Sequence, residues 1–160
     1  MRTRLLVLLL LALTYASAAD RLEGRWKLLA AEDVRDNGEV VRHPWGEHPA
    51  GSIVVQDGWL YLQIMSTDTP SFGAGKPLAD QMKAMLTSSY IAYAGPVEID
   101  EAGGSVSFKV EAAWRPDYVG TSQHRIFHFE NGKLIFGTAP NSVRAGAERL
   151  TRRLTLQRLP

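Results

Sequence analysis

The sequence contains its clearest structural signal at Ser52-Ile53-Val54-Val55-Gln56-Asp57-Gly58-Trp59-Leu60-Tyr61-Leu62-Gln63-Ile64-Met65. Two runs rich in β-branched and aromatic residues flank Asp57-Gly58, which is typical of a β-hairpin. Asp-Gly suits the type I′ turn of a two-residue hairpin, because both central residues of that turn need a positive φ. Asn131-Gly132 lies between two further strand-like runs, 124–130 and 133–138, and repeats the signal. The sequence therefore predicts an antiparallel β protein.

The remaining patterns extend this prediction along the chain. Strand-like segments are expected over 26–33, 91–99, 105–112 and 150–159. Leu78, Met82, Met85 and Leu86 fall at helical spacing and predict one short helix near residues 78–90. The count is roughly eight strands with short antiparallel connections. That number predicts an all-β, up-and-down antiparallel barrel that is just wide enough to hold one small ligand.

The first 18 residues have the features of a secretory signal peptide. Arg2 and Arg4 precede the apolar run 5–13, and Ala16-Ser17-Ala18 forms a small-residue cleavage site. The apolar run is shorter than the ~20 residues that span a bilayer, so cleavage is favoured over a retained anchor. We expect a signal peptide over 1–18, a barrel domain over 19–160, and export to the periplasm or beyond. No stable membrane span is expected after cleavage.

Composition narrows the classes of partner. The chain has 18 basic and 17 acidic residues, and loss of Arg2 and Arg4 turns the small positive charge into a small negative one. Such a surface makes nucleic acid an unfavourable partner. There is no cysteine, so an exported domain of this size must be stabilised by burial in one core.

Several motifs together resemble the lipocalin-like domain proteins of bacteria and fungi. They cover nearly the whole chain after residue 18, and they are Leu22-x-Gly24-x-Trp26, Pro49-x-Gly51, Val54-Val55-Gln56-Asp57-Gly58, Leu62-Gln63-Ile64-Met65, Tyr90-Ile91-Ala92-Tyr93-Ala94-Gly95-x-x-Glu98 and Pro116-x-x-Val119-Gly120-Thr121-x-Gln123-x-Arg125. The resemblance implies a calycin-type barrel, and it brings no agreed activity.

The same resemblance implies how the barrel is closed at one end. In true lipocalins an arginine of the last strand stacks on the indole of the Gly-x-Trp motif, and here Gly24, Trp26 and Arg158 are the matching residues. Arg152 or Arg153 could replace Arg158 in that role. The chain departs from the family pattern just before Arg158, where Leu156-Gln157 stands in place of a tryptophan-containing sequence.

Either face of the strand 59–65 could point into the barrel interior. One face carries Tyr61, Gln63 and Met65, and the other carries Leu60, Leu62 and Ile64. A ligand cavity is typically apolar with a few placed polar groups, which favours the mixed face as the cavity wall. The aliphatic face would then pack beneath the helix. A register error of one residue would invert this assignment.

Three further residues are candidates for contacts with a ligand. Tyr93 lies among small residues that leave room for its phenol, although it could equally fill the barrel itself. Arg125 shares a strand face with Phe127 and Phe129, so a half-buried guanidinium is expected. It would need a partner, which could be Glu98 or Glu111, or the anionic group of a ligand. A charged ligand would then be a carboxylate.

These observations leave three functions open. The favoured one is an exported protein that binds a small hydrophobic or amphiphilic molecule through Tyr61, Gln63, Met65, Tyr93, Arg125 and Phe127, without a cofactor. The alternative is a cofactor-independent cyclase, isomerase or dehydratase with Tyr93 as acid and Glu98 or His124 as base. A third is an interaction module that uses Trp45 and Trp114 as contacts.

No metal site is expected, because His124 and His128 lie about 13 Å apart on a strand. Oligomeric state is left open.

Overall fold

A computed structural model describes residues 22–69, 71–73, 75–100 and 102–160. The predicted signal peptide, residues 1–18, lies outside these ranges. Within them the chain forms eleven strands and one short α-helix. The strands are β1 (Gly24–Val34), β2 (Val40–Arg42), β3 (Ala50–Gln56), β4 (Trp59–Met65), β5 (Tyr90–Asp100), β6 (Ser105–Lys109), β7 (Ala112–Ala113), β8 (Ser122–Glu130), β9 (Lys133–Gly137), β10 (Val143–Ala145) and β11 (Glu148–Arg158).

Eight of these strands close into an antiparallel barrel. The hydrogen-bonded order is β1, β3, β4, β5, β6, β8, β9 and β11, and β11 pairs back onto β1. Three short strands lie outside this ring: β2 pairs with β1, β7 with β5, and β10 with β11. The predicted eight-stranded up-and-down barrel is confirmed.

The two hairpin turns have the backbone that their sequences predict. Asp57 and Gly58 have φ values of 51° and 75°, and Asn131 and Gly132 have values of 50° and 73°. Positive φ at both central residues is the requirement of the type I′ turn, whose twist matches that of the flanking strands. Both turns close the same end of the barrel, which we call the closed end.

The opposite end, which we call the mouth, carries the longer connections. They are the segments 43–49, 66–89, 110–121 and 138–147. The segment 66–89 includes the helix α1 (Leu78–Ala84), which continues as a π-helical turn over Met85–Ser89. None of the residues of α1 is buried, so the prediction that this helix packs an aliphatic sheet face is wrong. No helix in the described ranges is long and apolar enough to cross a membrane.

A tightly packed apolar core fills the barrel. Its largest fully buried side chains include Phe108, Phe136, Leu60, Ile64 and Leu156. At Gly95, where β5 changes its partner from β7 to β6, the chains approach so closely that a Cβ atom would lie 1.7 Å from the carbonyl oxygen of Lys109. The core thus leaves little free space inside the ring of strands.

Candidate functional site

Trp26 and Arg158 meet at the closed end of the barrel. The Trp26 indole is 2% exposed, and its Nε1 donates a hydrogen bond of 2.8 Å to the carbonyl oxygen of Leu22. The guanidinium carbon of Arg158 lies 4.6 Å from the ring centre, within the range of a cation–π contact. Gly24 is adjacent, with a φ of 124°, and a Cβ atom there would lie 2.9 Å from Nη1 of Arg158. The three residues implied by the family resemblance therefore lie together.

Trp45 covers the mouth. The loop between β2 and β3 turns its indole inward, where it is 7% exposed and packs with the core. Beneath it lies a cavity of about 50 Å³. Its wall includes Ile64, Tyr93, Arg125 and Arg152. Because small-molecule sites usually have about 300–1,000 Å³, this space accommodates a small group and not a whole ligand.

Arg125 projects into this cavity from β8 and is half-buried. Its Nη2 donates to the hydroxyl of Tyr93 at 3.3 Å and to Oε1 of Gln123 at 3.0 Å. Its Nη1 donates to the carbonyl oxygen of its neighbour His124 at 2.7 Å. The amide of Gln123 is itself oriented by a 3.0 Å bond that it donates to Thr121. All of these partners are neutral.

The predicted carboxylate partners of Arg125 are not observed. Glu98 and Glu111 are both exposed, and Glu98 faces the outside of the sheet. Across the described part of the chain, no carboxylate forms an ion pair with Arg125. The expectation of a structural ion pair with either glutamate is therefore wrong. The positive charge of Arg125 has neutral hydrogen-bond partners and the Phe108 ring, whose centre lies 5.9 Å from the guanidinium carbon.

Arg152, the second guanidinium of the cavity, is neutralised. The carboxylate of Asp33 is fully buried and accepts hydrogen bonds of 2.8 and 2.9 Å from Arg152 and of 2.6 Å from Arg42. Burial acts to raise the pKa of Asp33, but the hydrogen bonds and charges of Arg152 and Arg42 together outweigh it, so the pKa lies below its ordinary value. Asp33 is thus ionised and neutralises Arg152. Arg125, by contrast, has no carboxylate partner among the described residues.

The sequence did not single out Asp33 because β1 contains a bulge. Trp26 and Leu28 face inward, the register with β11 shifts between Leu28 and Ala30, and Ala31 and Asp33 then occupy the inward positions. A strict alternation from Trp26 would place Asp33 outside.

The prediction that Trp45 is a surface contact is wrong, because its loop folds inward over the mouth.

The mixed face of β4 lies on the outside of the barrel. Leu60, Leu62 and Ile64 are buried, whereas Tyr61 is 48% exposed and Met65 is 47% exposed. Gln63 is exposed as well. The prediction that this mixed face lines the interior is therefore wrong, because aliphatic side chains gain more from burial than an amide or a phenol does. Tyr61 and Gln63 instead line an open groove on the outer surface.

Tyr93 and Phe127 do face the interior. Tyr93 is 5% exposed, stacks on Phe108 with ring centres 5.3 Å apart, and lines the cavity beneath Trp45 beside Arg125. Phe127 is 7% exposed and packs edge-on against Phe129 at 6.1 Å. Of the six predicted ligand contacts, the structure therefore brings Tyr93 and Arg125 together at the cavity and places Phe127 in the core.

Comparison with known proteins identifies the family. A model of the lipocalin-like domain matches residues 23–159, which is nearly the whole of the described chain. The chain belongs to the lipocalin-like domain family. No curated protein and no solved structure matches it. The family and the barrel support a ligand-binding role of the lipocalin type in general.

The acid–base pair of the enzyme hypothesis is not assembled in this lipocalin-like barrel. Tyr93 points inward, whereas Glu98 and His124 are exposed on the outer face. His124 Nδ1 lies 3.2 Å from the hydroxyl of Ser107 on the same outer surface. Within the described ranges, no three His, Asp or Glu side chains lie close enough together to hold a metal ion. No observation thus favours a catalytic role for these residues.

Proposed function

We propose that this lipocalin-like protein binds a small amphiphilic carboxylate at the mouth of its barrel, with the carboxylate held by Arg125. The proposal rests on one observation: a half-buried guanidinium faces an internal cavity and has only neutral hydrogen-bond partners. A carboxylate would replace neutral acceptors by charged ones, and such charge-assisted bonds are roughly twice as strong as neutral ones.

The size of the cavity restricts how such a ligand would lie. A volume of about 50 Å³ holds the carboxylate and little of the apolar chain. The chain of the ligand must therefore leave through the mouth, past the Trp45 indole that covers it. We infer that Trp45 swings aside when ligand enters, which makes its loop the lid of the site.

We infer that the ligand chain contacts apolar side chains of the segment that connects β4 to β5. The segment 66–89, which connects two strands at this end, leaves several large apolar residues exposed to solvent. They are Phe72 at 53%, Leu78 at 60%, Met82 at 47% and Leu86 at 37% exposure. Exposed apolar residues grouped on one segment mark an interaction site more often than scattered ones do. A ligand with both a charged head and an apolar chain suits this arrangement.

Calorimetric titration with decanoate tests the proposal. Arg125→Met removes the charge and keeps an apolar side chain of similar length, and it should weaken decanoate binding by about tenfold or more. Arg144→Met is the matched control, because Arg144 is exposed on β10 and its loss changes net charge equally. Decanol should bind more weakly than decanoate to the unaltered protein. Equal affinities of the two arginine variants would contradict the proposal.

We also propose that residues 1–18 direct export of the protein and are then removed. The support is the order of basic residues, apolar run and small-residue cleavage site described above. The intact mass of protein recovered from the extracytoplasmic fraction tests this. A mature chain that begins at Ala19 is expected, and a full-length chain retained in the cytoplasm would contradict it.

A further inference from the structure

An open groove of about 430 Å³ lies on the outer face of β3, β4 and β5, on the opposite side of the sheet from the Arg125 cavity. Most of its side chains come from outward positions of these strands and from β7 and the residue after it. They include Ser52, Val54, Tyr61, Gln63, Ala92, Ala94, Ala112 and Trp114. The buried residues Leu62 and Tyr93 contribute to the lining of both this groove and the internal cavity. The groove is larger than the internal cavity and falls within the range of small-molecule sites.

Alanines form the floor of this groove. In the sheet register Tyr61 pairs with Ala94, which pairs in turn with Ala112, while Gln63 pairs with Ala92. Neighbouring outward positions on two strands thus carry only methyl groups. Because side chains at paired positions lie about 5 Å apart, the small residues leave a depression beside the large ones.

Two aromatic side chains form the walls, and each is held by a neighbour. Tyr61 stacks with Trp59 at a ring separation of 6.0 Å and an angle of 23°. Trp114 packs against Tyr118 at 4.4 Å, and its Nε1 donates a hydrogen bond of 3.2 Å to the carbonyl oxygen of Leu86. These contacts fix the positions of the two rings before any ligand arrives, which reduces the entropy lost on binding.

The polar groups of the groove are few and neutral. Ser52 and Gln63 occupy paired positions on β3 and β4, so a hydroxyl and an amide stand side by side at one end. None of the side chains that line the groove is a carboxylate, an ammonium or a guanidinium. The guanidinium carbon of Arg115 lies 5.7 Å from the Trp114 ring centre, but Arg115 is ion-paired with Asp117. A charged ligand would therefore lose hydration here without gaining an unpaired opposite charge, which is unfavourable. A sugar would bring more hydroxyls than two polar side chains can satisfy.

We propose that this groove is a second ligand site, which binds an uncharged, planar aromatic molecule with a hydrogen-bonding group on one edge. The ring lies on the alanine floor between Tyr61 and Trp114, and its polar edge meets Ser52 and Gln63. This site is separate from the carboxylate site of the proposed function, and it does not depend on that function.

Calorimetric titration with 2-naphthol tests the assignment. Ala94→Leu fills the floor and Tyr61→Ser removes one wall, and each should weaken 2-naphthol binding by about tenfold. Thr155→Leu is the matched control, since it adds an apolar side chain to the outer face of β11, away from the groove. Arg144→Met, on the exposed strand β10, should leave 2-naphthol affinity unchanged. The 2-naphthol result does not depend on whether decanoate binds.

Several outcomes would overturn the assignment. These are no binding of 2-naphthol by the unaltered protein, equal binding by Ala94→Leu, Tyr61→Ser and the Thr155→Leu control, or equal or tighter binding of the anion naphthalene-2-sulfonate. Sedimentation of the unaltered protein and of Ala94→Leu measures their oligomeric states and can also overturn the assignment. A dimer that Ala94→Leu dissociates would show that the groove is a contact between two copies of the chain and not a small-molecule site.

Discussion

The guanidinium carbon of Arg152 lies 4.8 Å from the centre of the Trp45 ring, and the same guanidinium donates two hydrogen bonds to the buried carboxylate of Asp33. Asp33 therefore positions Arg152, and Arg152 provides a cationic surface for the indole that covers the mouth. A cation–π contact of this kind contributes about 0.5–2 kcal/mol, which is enough to hold a loop closed and small enough to be overcome by a ligand.

Replacement of Trp45 by alanine should lower the free energy of unfolding and raise the affinity for decanoate. Trp45→Ala removes a nearly buried indole, so the free energy of unfolding should fall by about 3 kcal/mol. Decanoate should bind more tightly than to the unaltered protein, because no indole has to be displaced. Urea unfolding and calorimetry measure the two effects. Trp59→Ala, on the outer face, is the control and should leave decanoate affinity unchanged. If Trp45→Ala also left decanoate affinity unchanged, Trp45 would not cover the entry.

The Asp33 cluster should make stability depend on pH. The pKa of Asp33 is lowered in the folded protein, so its ionised form stabilises the fold above the unfolded-state pKa of about 3.9. That contribution is lost as the pH falls through the lower, folded-state pKa. Asp33→Asn should cost about 2–3 kcal/mol at pH 7, because the hydrogen bonds from Arg152 and Arg42 lose their charged acceptor.

Urea unfolding of Asp33→Asn and of the unaltered protein between pH 7 and pH 2 measures this dependence. The difference between the two proteins should shrink below about pH 4, where Asp33 begins to protonate in the unfolded chain. Asp57→Asn in an exposed hairpin turn is the control and should show little difference at any pH. A gap that stays constant down to pH 2 would show that the carboxylate charge of Asp33 does not stabilise the fold.

Gly95 should tolerate no side chain. A Cβ atom at this position would meet the backbone carbonyl oxygen of Lys109 at 1.7 Å, and the backbone of the adjacent strand cannot give way as a flexible side chain could. Gly95→Ala should therefore destabilise the protein by more than about 3 kcal/mol or prevent folding. Gly38→Ala has open space but a φ of 85°, so it should cost only about 1 kcal/mol. Circular dichroism during thermal unfolding compares the two, and similar melting temperatures would contradict the close approach.

The sequence predicted those parts of the fold that depend on local rules. The turns at 57–58 and 131–132 could be predicted because positive φ at two successive positions has a strong local preference for Asp-Gly and Asn-Gly. The eight barrel strands followed from the runs between such turns. Arg125 was predicted to be half-buried because its face-mates are phenylalanines, and the structure confirms that position.

The rest depended on contacts between distant segments. The face of β4 that points inward depends on the register of the whole barrel, and a preference for a mixed cavity wall selected the outer face instead. The stripe Leu78, Met82 and Leu86 has helical spacing, yet nothing local indicates that it stays exposed. Trp45 and Asp33 meet Arg152 only when the loop before β3 folds over the mouth and β1 is bulged.

The most direct test of the account is a crystal structure of the protein with bound decanoate. It should show a carboxylate oxygen about 2.7–2.9 Å from a nitrogen of the Arg125 guanidinium, and the Trp45 indole should be displaced from its position over the mouth. Decanoate bound elsewhere, with Trp45 still packed in the core and Arg125 still bonded to Tyr93 and Gln123, would contradict the central claim.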